Sequence, residues 1–307
     1  MSPELLLLTN AAAGSFGEGI DAALAVLREG ADVRVQACDD PGKLPSLLAG
    51  SDGRRIVVAG GDGTMHNVLQ ALANTDGLSA DTPLALLPMG TGNDLAGALG
   101  IPLDPEQAAR TALHGRTRAL DLAVDEDGDV LANVAHVGVG AEAARRAAAL
   151  KGALGAAAYP VGATAAGVTS TGWELAVEVD GVTLSGAGDR VLMVAVANGR
   201  RVGGGTPVAP GAEPDDGLLD VMVCFATGPV ERVSFATDLK HGTHVDRDDV
   251  RLARGRRVTI SGEQFRANVD GEVLGPYRDR VWTVRPRAWS LLVPARGQDE
   301  GSRRLRN

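Results

Sequence analysis

Cysteine is nearly absent from these 307 residues: Cys38 and Cys224 are the only two. They cannot make a disulfide framework, and neither has metal-ligand spacing, so a reducing cytoplasm is the expectation. Positive charge is also short. A formal net charge of −9 argues against nucleic acid as the main partner, and the basic residues present are almost all arginine. Long apolar runs are missing too. Leu5–Leu8 is too short for a signal-peptide core and lacks a basic start and a cleavage site, so it reads as a buried strand. The Ala/Gly-rich stretch from Ala141 to Val168 carries Glu142, Arg145, Arg146, Lys151 and Pro160, a load no transmembrane span would bear. A cytoplasmic protein is expected, with peripheral contact to a membrane surface left open.

What is present begins with Ile56-Val57-Val58-Ala59-Gly60-Gly61-Asp62-Gly63-Thr64. A β-branched run ends in three glycines around one aspartate, and apolar residues then recur at Met65, Val68, Leu69 and Leu72 with helical spacing. The unit reads strand, glycine loop, helix. Glycines allow close backbone approach by a ligand, and the helix start offers free N–H groups to phosphate. Asp62 would repel phosphate unless it faces a metal ion or holds the loop by hydrogen bonds. A tight turn with Asp62 as a cap is the plainer alternative.

Taken in order, Leu5–Leu8, Val33–Ala37, Ile56–Ala59 and Pro83–Pro88 read as strands. Helices are expected at 18–28, around Pro45–Leu48, after Thr64 and from Leu95. This alternation marks a parallel, doubly wound sheet covered on both faces. Ligands of such sheets sit beyond the carboxyl ends of the strands, where the polar loops 9–14, 60–64 and 89–94 leave. After about Arg116 the rhythm changes. Trp173–Val179 and Val182–Leu184 read as a hairpin about Asp180-Gly181. Further strands are expected at 191–197, 218–225, 258–260, 265–269, 281–284 and 291–293, giving a mainly antiparallel β-sandwich. The domains read as 1–117, an α/β nucleotide-binding domain, and 118–296, a β-rich substrate domain with a helical insertion near 142–166. Residues 297–307 read as a polar tail.

Glycine–carboxylate stretches recur later as NGRRVGGG at 198–205, DDGLLD at 215–220 and VDGE at 269–272. Singly, an Asp-Gly pair between strands is a hairpin turn. With GGDGT at 60–64, LPMGTGND at 87–94 and Asp121 in ALDLAV, the ordered series resembles the diacylglycerol kinase catalytic-domain family, which includes sphingosine and ceramide kinases. The resemblance covers nearly the whole chain, and the later motifs are more specific than GGDGT, which NAD kinases share.

The resemblance implies an enzyme moving the γ-phosphoryl group of ATP onto a lipid hydroxyl, diacylglycerol above all, in an interdomain cleft. ATP would meet Asn10, Gly14, Gly60, Gly61, Asp62, Gly63, Thr64, Met65, His66, Thr91, Asn93 and Asp94. Asp62, Asn93, Asp94 and Asp121 would form a Mg²⁺-linked polar network near the phosphates. A structural Mg²⁺ would sit at Asp216 with carbonyl groups of Glu213 and Leu218. Glu272 or Asp270 would be the base, Glu272 being preferred. The implied partners are ATP and a lipid at the membrane surface, and a homodimer is compatible. Phosphoryl transfer needs mainly positioning, charge neutralisation and orientation of the attacking hydroxyl. No GxxxxGK[ST] loop and no HRD or DFG set stands in the sequence.

The chain departs from the family at Ala11, where proline is usual, at Asn67, where glutamate is common, and at Gly138-Val139-Gly140-Ala141-Glu142, where the acid is displaced. An NAD-kinase-like enzyme, a sphingoid or ceramide-type kinase and a nucleotide-binding regulator with impaired catalysis are the alternatives. His241 and His244 read as parts of a solvated loop rather than a metal site, His66 as a phosphate contact, a cap or a solvent-exposed side chain, and Arg247–Arg257 as a solvated face.

Overall fold

A computed structural model of the chain describes residues 2–9, 18–142 and 172–295. It forms two compact units. One runs to Leu120 and takes in the chain again from Arg287, and the other is Asp121–Pro286.

The first unit is built on β1 (Glu4–Thr9), β2 (Asp32–Ala37), β3 (Arg55–Gly60) and β4 (Ala85–Pro88). They lie in the order β2-β1-β3-β4, all parallel. The leucines of β1 and the residues Val57 to Gly60 of β3 are buried without alternation, as expected when both faces of a parallel sheet are covered. β2, at the edge, is mostly exposed. Helices α1 (Glu18–Gly30) and α5 (Pro105–His114) close one face, where Ala23, Leu27, Ala108 and Ala109 join Leu5, Leu7, Val57 and Leu87 in one core. Asp104 caps α5 by accepting from the N–H of Gln107, and Pro105 opens its first turn. Leu6, Val58 and Leu86 alternate with the first set and are equally buried, so the opposite face is covered as well. The remaining helices are α2 (Leu44–Ala49), α3 (Asp62–Ala73) and α4 (Asp94–Leu99), of which α2 packs on α3. The last residues of the chain's final strand return to the β4 edge, where the N–H of Leu84 donates to Ser290 O and that of Leu292 to Leu84 O, both at 2.9 Å.

The second unit is antiparallel. Its strands are β5 (Arg116–Asp125), β6 (Val130–Leu131), β7 (Val134–Gly138), β8 (Trp173–Val179), β9 (Val182–Ser185), β10 (Arg190–Val191), β11 (Met193–Ala197), β12 (Leu219–Cys224), β13 (Val250–Gly255), β14 (Arg257–Val269) and β15 (Glu272–Val293), with α6 (Pro229–His241) between β12 and β13. The main path runs β13-β12-β11-β7-β14-β15-β5-β6. β14 pairs with β8 through Val258–Gly262 and with β7 through Ala267–Val269, with a register shift between the two stretches. Alternation sorts the side chains: Val194, Val196, Val221 and Val223 join Ile260, Phe265 and Trp282 in one core. Met193, Ala195, Met222 and Cys224 face a second core with Phe235 of α6.

Every expected strand of the second half is present, but the last four expected strands are pieces of just two, β14 and β15. The run Arg247–Arg257, read as a solvated face, is mostly strand β13. Its arginines are engaged: Arg247 pairs with Asp238 and Asp249 at 2.6 and 2.7 Å, and Arg251 lies over the Phe225 ring at 4.6 Å. Helix α6 was not expected. Val230 and Val233 are 76% and 67% exposed and Phe235 is its one buried residue, so no apolar stripe announces it. His244, read as solvated, is buried, and its Nε2 lies 3.0 Å from the Val208 carbonyl. His241 lies in the last turn of α6 with Nδ1 2.8 Å from Thr237 O. The insertion expected at 142–166 lies, but for residue 142, outside the described residues, as does the tail at 297–307.

One buried cation holds the second unit at the β5–β6 loop. Arg280 is 3% exposed, within 3.3 Å of Asp125, 2.6 Å of Asp127, 3.6 Å of Glu126 and 4.0 Å of Asp129. Its guanidinium sits 3.9 Å from the centre of the Tyr277 ring. Burial pushes the Asp125 carboxyl above its usual range, against the pull of backbone N–H donors and Arg280.

Candidate functional site

Because β3 and β4 are parallel neighbours, the loops after them leave the sheet side by side, and the N–H of Met89 donates to Gly60 O at 2.9 Å. The two loops then touch. A Cβ on Gly61 would meet Gly90 Cα at 2.9 Å, and one on Gly90 would meet Gly61 Cα at 2.6 Å. A Cβ on Gly60 would strike the Thr64 side chain at 2.5 Å, whereas Gly63 faces open space. Asn93 adopts a left-handed φ of 50°. It locks its own loop by accepting from the Gly90 N–H at 3.0 Å and donating to Gly90 O at 2.7 Å.

Asp62 ties the loops together. Its Oδ2 accepts from the N–H of Asp94 and its Oδ1 from that of Leu95, both at 3.0 Å. It is the first residue of α3 and caps the N-terminus of α4 instead. Of the two roles read for this carboxylate, the structure shows the holding of the loop by hydrogen bonds. The N-cap of α3 is Gly61, which provides no side-chain cap, so the first N–H groups of a twelve-residue helix open onto the glycine loop. Thr91 and Gly63 are exposed, Thr64 is half-buried, and Met65, His66 and Asp94 are buried. Met65 lies in the core at 1% exposure, so its side chain is not offered to a ligand. Asn10, Gly14 and Ala11 lie outside the described residues.

In the second unit, Asp270 and Gly271 form the turn from β14 to β15, with φ of 49° and 103°. Asp180-Gly181 turns β8 into β9 with nearly the same angles, 49° and 83°, and its carboxylate accepts from the N–H groups of Arg256 and Arg257. Asp270 likewise accepts from the N–H groups of Ala132, Asn133 and Val134 at 2.7, 2.9 and 2.9 Å. Three amide donors on one carboxylate fix its orientation. The Gly271 N–H donates to Asn268 Oδ1 at 2.9 Å. Glu272 is exposed on this braced turn.

Asp121 is fully buried. Its Oδ2 accepts from the Gly217 N–H at 2.6 Å and its own N–H donates to Pro214 O at 2.8 Å. Gly217 and Pro214 both belong to the 213–220 loop. There Glu213 pairs with Arg200, and Asp216 with Arg254. Asp216 Oδ1 also accepts from the Leu218 N–H at 3.0 Å. Among the described residues, no group of three His, Cys, Asp or Glu side chains is placed to hold a metal ion.

The structure therefore brings Gly60, Gly61, Asp62, Asn93 and Asp94 together, and separately Asp121 with the 213–218 loop. Asparagines that were not singled out brace the Asp270 turn. Asn198 Nδ2 donates to Asp121 O at 3.1 Å and to Ala132 O at 2.9 Å, and Asn133 Nδ2 to Arg201 O at 2.8 Å. A Cβ on Gly199 would meet Asn133 Oδ1 at 1.9 Å, which accounts for the glycine after Asn198. The Asn-Gly pair was the available signal.

Residues 4–124 match the diacylglycerol kinase catalytic domain, and residues 133–293 match the YegS C-terminal NAD kinase beta sandwich-like domain. Proteins described as "Probable lipid kinase YegS-like" are similar along the chain. That of Pseudomonas putida is 35% identical over 92% of each chain, and that of Pseudomonas aeruginosa is 34% identical over 95% of this chain and 94% of its own. The crystal structure of a diacylglycerol kinase from Bacillus anthracis superposes with a TM-score of 0.75 at 21% identity, over 95% of this chain and 97% of that one. A second structure from that organism gives a TM-score of 0.78 at 22% identity over 95% of each chain. At such identity the superpositions establish the fold: a parallel α/β domain followed by an antiparallel β domain. With matched domains in both halves and relatives of this identity along nearly its whole length, the chain belongs to the YegS-like family of probable lipid kinases.

Proposed function

We propose that this protein transfers the γ-phosphoryl group of ATP to the hydroxyl of a lipid, with diacylglycerol, giving phosphatidic acid, as the favoured substrate. The observation that carries the reading is the diversion of Asp62. Its carboxylate caps α4, so the N-terminus of α3 meets the phosphates with N–H groups and a positive dipole end rather than with a negative charge. Gly61 and Gly90 let the two loops pack directly against each other, and Gly63 has open space beside it for the approach of a phosphate chain. Asn93 and Asp62 hold those loops rigid, which is what phosphoryl transfer asks of a protein. Mg²⁺ arriving with ATP supplies charge neutralisation on the phosphates.

The base is Glu272 in this reading. Asp270 has its oxygens committed to three backbone N–H groups, which makes it the positioning residue of the turn. Glu272 is exposed two residues on, and an exposed carboxylate can accept the proton of the attacking hydroxyl. A lipid substrate directs the enzyme to a membrane surface, and no helix among the described residues is long and apolar enough to cross one.

The NAD-kinase-like sandwich named for residues 133–293 supports a second reading, phosphorylation of a soluble nucleotide. ATP consumption measured side by side with diacylglycerol, a sphingoid base and NAD separates them. Turnover with diacylglycerol alone is the expected result. Turnover with the sphingoid base or NAD reassigns the substrate, and turnover with none, despite ATP binding, makes the chain a nucleotide-binding regulator.

A further inference from the structure

Family resemblance puts a divalent cation at the 213–218 loop, and the loop's own chemistry does not fit one. A hard cation needs carboxylate and carbonyl oxygens turned toward it. Asp216 spends one oxygen on the Leu218 N–H and gives the other to the guanidinium of Arg254. The same guanidinium reaches Asp220 through Nε at 3.3 Å, its direct cross-strand neighbour in the β12–β13 ladder. Glu213 is paired with Arg200, whose Nε also donates to Ala212 O at 2.8 Å. Three carboxylates are thus met by two arginines. An entering Mg²⁺ would have to expel Arg254 from both acids, and a guanidinium cannot escape by giving up its proton.

We propose that Arg254 is the built-in counter-ion of this loop, joining Asp216 to Asp220 where a structural divalent cation would otherwise sit, so that this chain holds the loop without metal. The position of Arg254 supports the assignment: β13 aligns it opposite Asp220 in register, and a planar, fork-shaped cation is suited to bridging two carboxylates. Burial raises the Asp220 carboxyl above its usual range first of all, and the nearby charges of Asp216 and Glu213 push the same way while Arg254 opposes them. Remove the arginine, and the crowded carboxylates become the oxygen site that the parent lacks.

Thermal melting of the full-length, chelator-treated protein, without nucleotide, tests this with MgCl₂ against NaCl at equal ionic strength. The parent and Asp216→Asn should show the same response to Mg²⁺. Arg254→Gln should melt lower and then gain about 2–4 °C in millimolar Mg²⁺, a gain lost in the double variant Arg254→Gln/Asp216→Asn. Arg254→Lys, which keeps the charge and tolerates loss of the fork, should stay indifferent to Mg²⁺. A saturable Mg²⁺ stabilisation of the parent that Asp216→Asn abolishes overturns the proposal. So does an Arg254→Gln protein that melts like the parent without responding to Mg²⁺, or a Mg²⁺ requirement in Arg254→Lys. None of these readouts involves phosphoryl transfer, so the outcome is independent of the proposed activity.

Discussion

Gly61 and Gly90 leave no room for each other's side chains, since a Cβ on either would lie 2.9 Å or less from the other's Cα. Two loops whose touching glycines are 29 positions apart in sequence share one surface for this reason. Gly90→Ala or Gly61→Ala should force the loops apart. Misplacement by about 1 Å can cost about 10²-fold in rate, and a loss of that order in kcat/KM is expected in an ATP-consumption assay. Gly63→Ala, which meets nothing within 4 Å, should melt at the parent temperature. Full activity in Gly90→Ala would falsify the role given to these loops.

Asp62→Ala takes away the acceptor of two backbone N–H groups. Losing a cap costs about 1–2 kcal/mol, so calorimetry should find a protein that is folded but less stable. Turnover should be abolished, because the loops lose the group that joins them. Asp62→Asn, with one oxygen remaining, should fall between the two. A fully active Asp62→Ala enzyme would remove the clamp from the mechanism.

Glu272→Gln keeps the shape of the side chain and removes the base. Its kcat should drop about 10²–10⁴-fold, with the melting temperature unchanged because the side chain is exposed. Asp270→Asn should behave differently, since one of the two oxygens that accept from three backbone N–H groups becomes an NH2 donor. Its melting temperature should fall along with its activity. If Asp270→Asn melts like the parent and is the slower enzyme, the two roles are reversed.

Arg280→Met strands the buried carboxylate of Asp125 and takes the shared cation from the more exposed Glu126, Asp127 and Asp129. Breaking a buried pair from one side costs about 3–5 kcal/mol. Urea unfolding at pH 7 should show a loss of that size, shrinking as the pH falls through the carboxylate range and the acids take up protons. A loss that does not change with pH would assign Arg280 to packing on Tyr277 rather than to charge.

His136 sits on β7 at 2% exposure, its Nδ1 without a hydrogen-bond partner among the described residues. Burial lowers its pKa to about 4. The unfolded chain, titrating near 6.5, binds this proton more readily than the folded one between those values. Stability therefore falls as the pH drops from about 6.5 toward 4. At 1.36 kcal/mol per pH unit the loss reaches about 2 kcal/mol at pH 5. His136→Leu should flatten this segment of the pH–stability curve in urea titrations, and an unchanged slope would point to another group.

The alternating strand–helix rhythm of the first half was legible because parallel strands buried on both faces leave unbroken apolar runs such as Leu5–Leu8. In the second half the period-two strands were legible, and so were the two Asp-Gly turns, since their left-handed backbone favours these residues. Helix α6 was not, because it exposes its valines and buries Phe235 alone. Strand β13 was hidden by its arginines, whose partners Asp216, Asp220 and Phe225 lie 26 or more positions away.

Which residues were candidates for chemistry was set by the sequence alone, because glycine loops and carboxylates stand in the order that resembles a known family. The work each carboxylate does was decided by tertiary structure. Asp62 and Asp270 read alike as acids beside glycines, and so does Asp216. Once folded, the first caps a helix from another loop, the second braces a turn from a distant strand, and the third is met by an arginine. A carboxylate's role follows from which donors reach its two oxygens, and those donors come from segments that only folding brings within 3 Å or so of it.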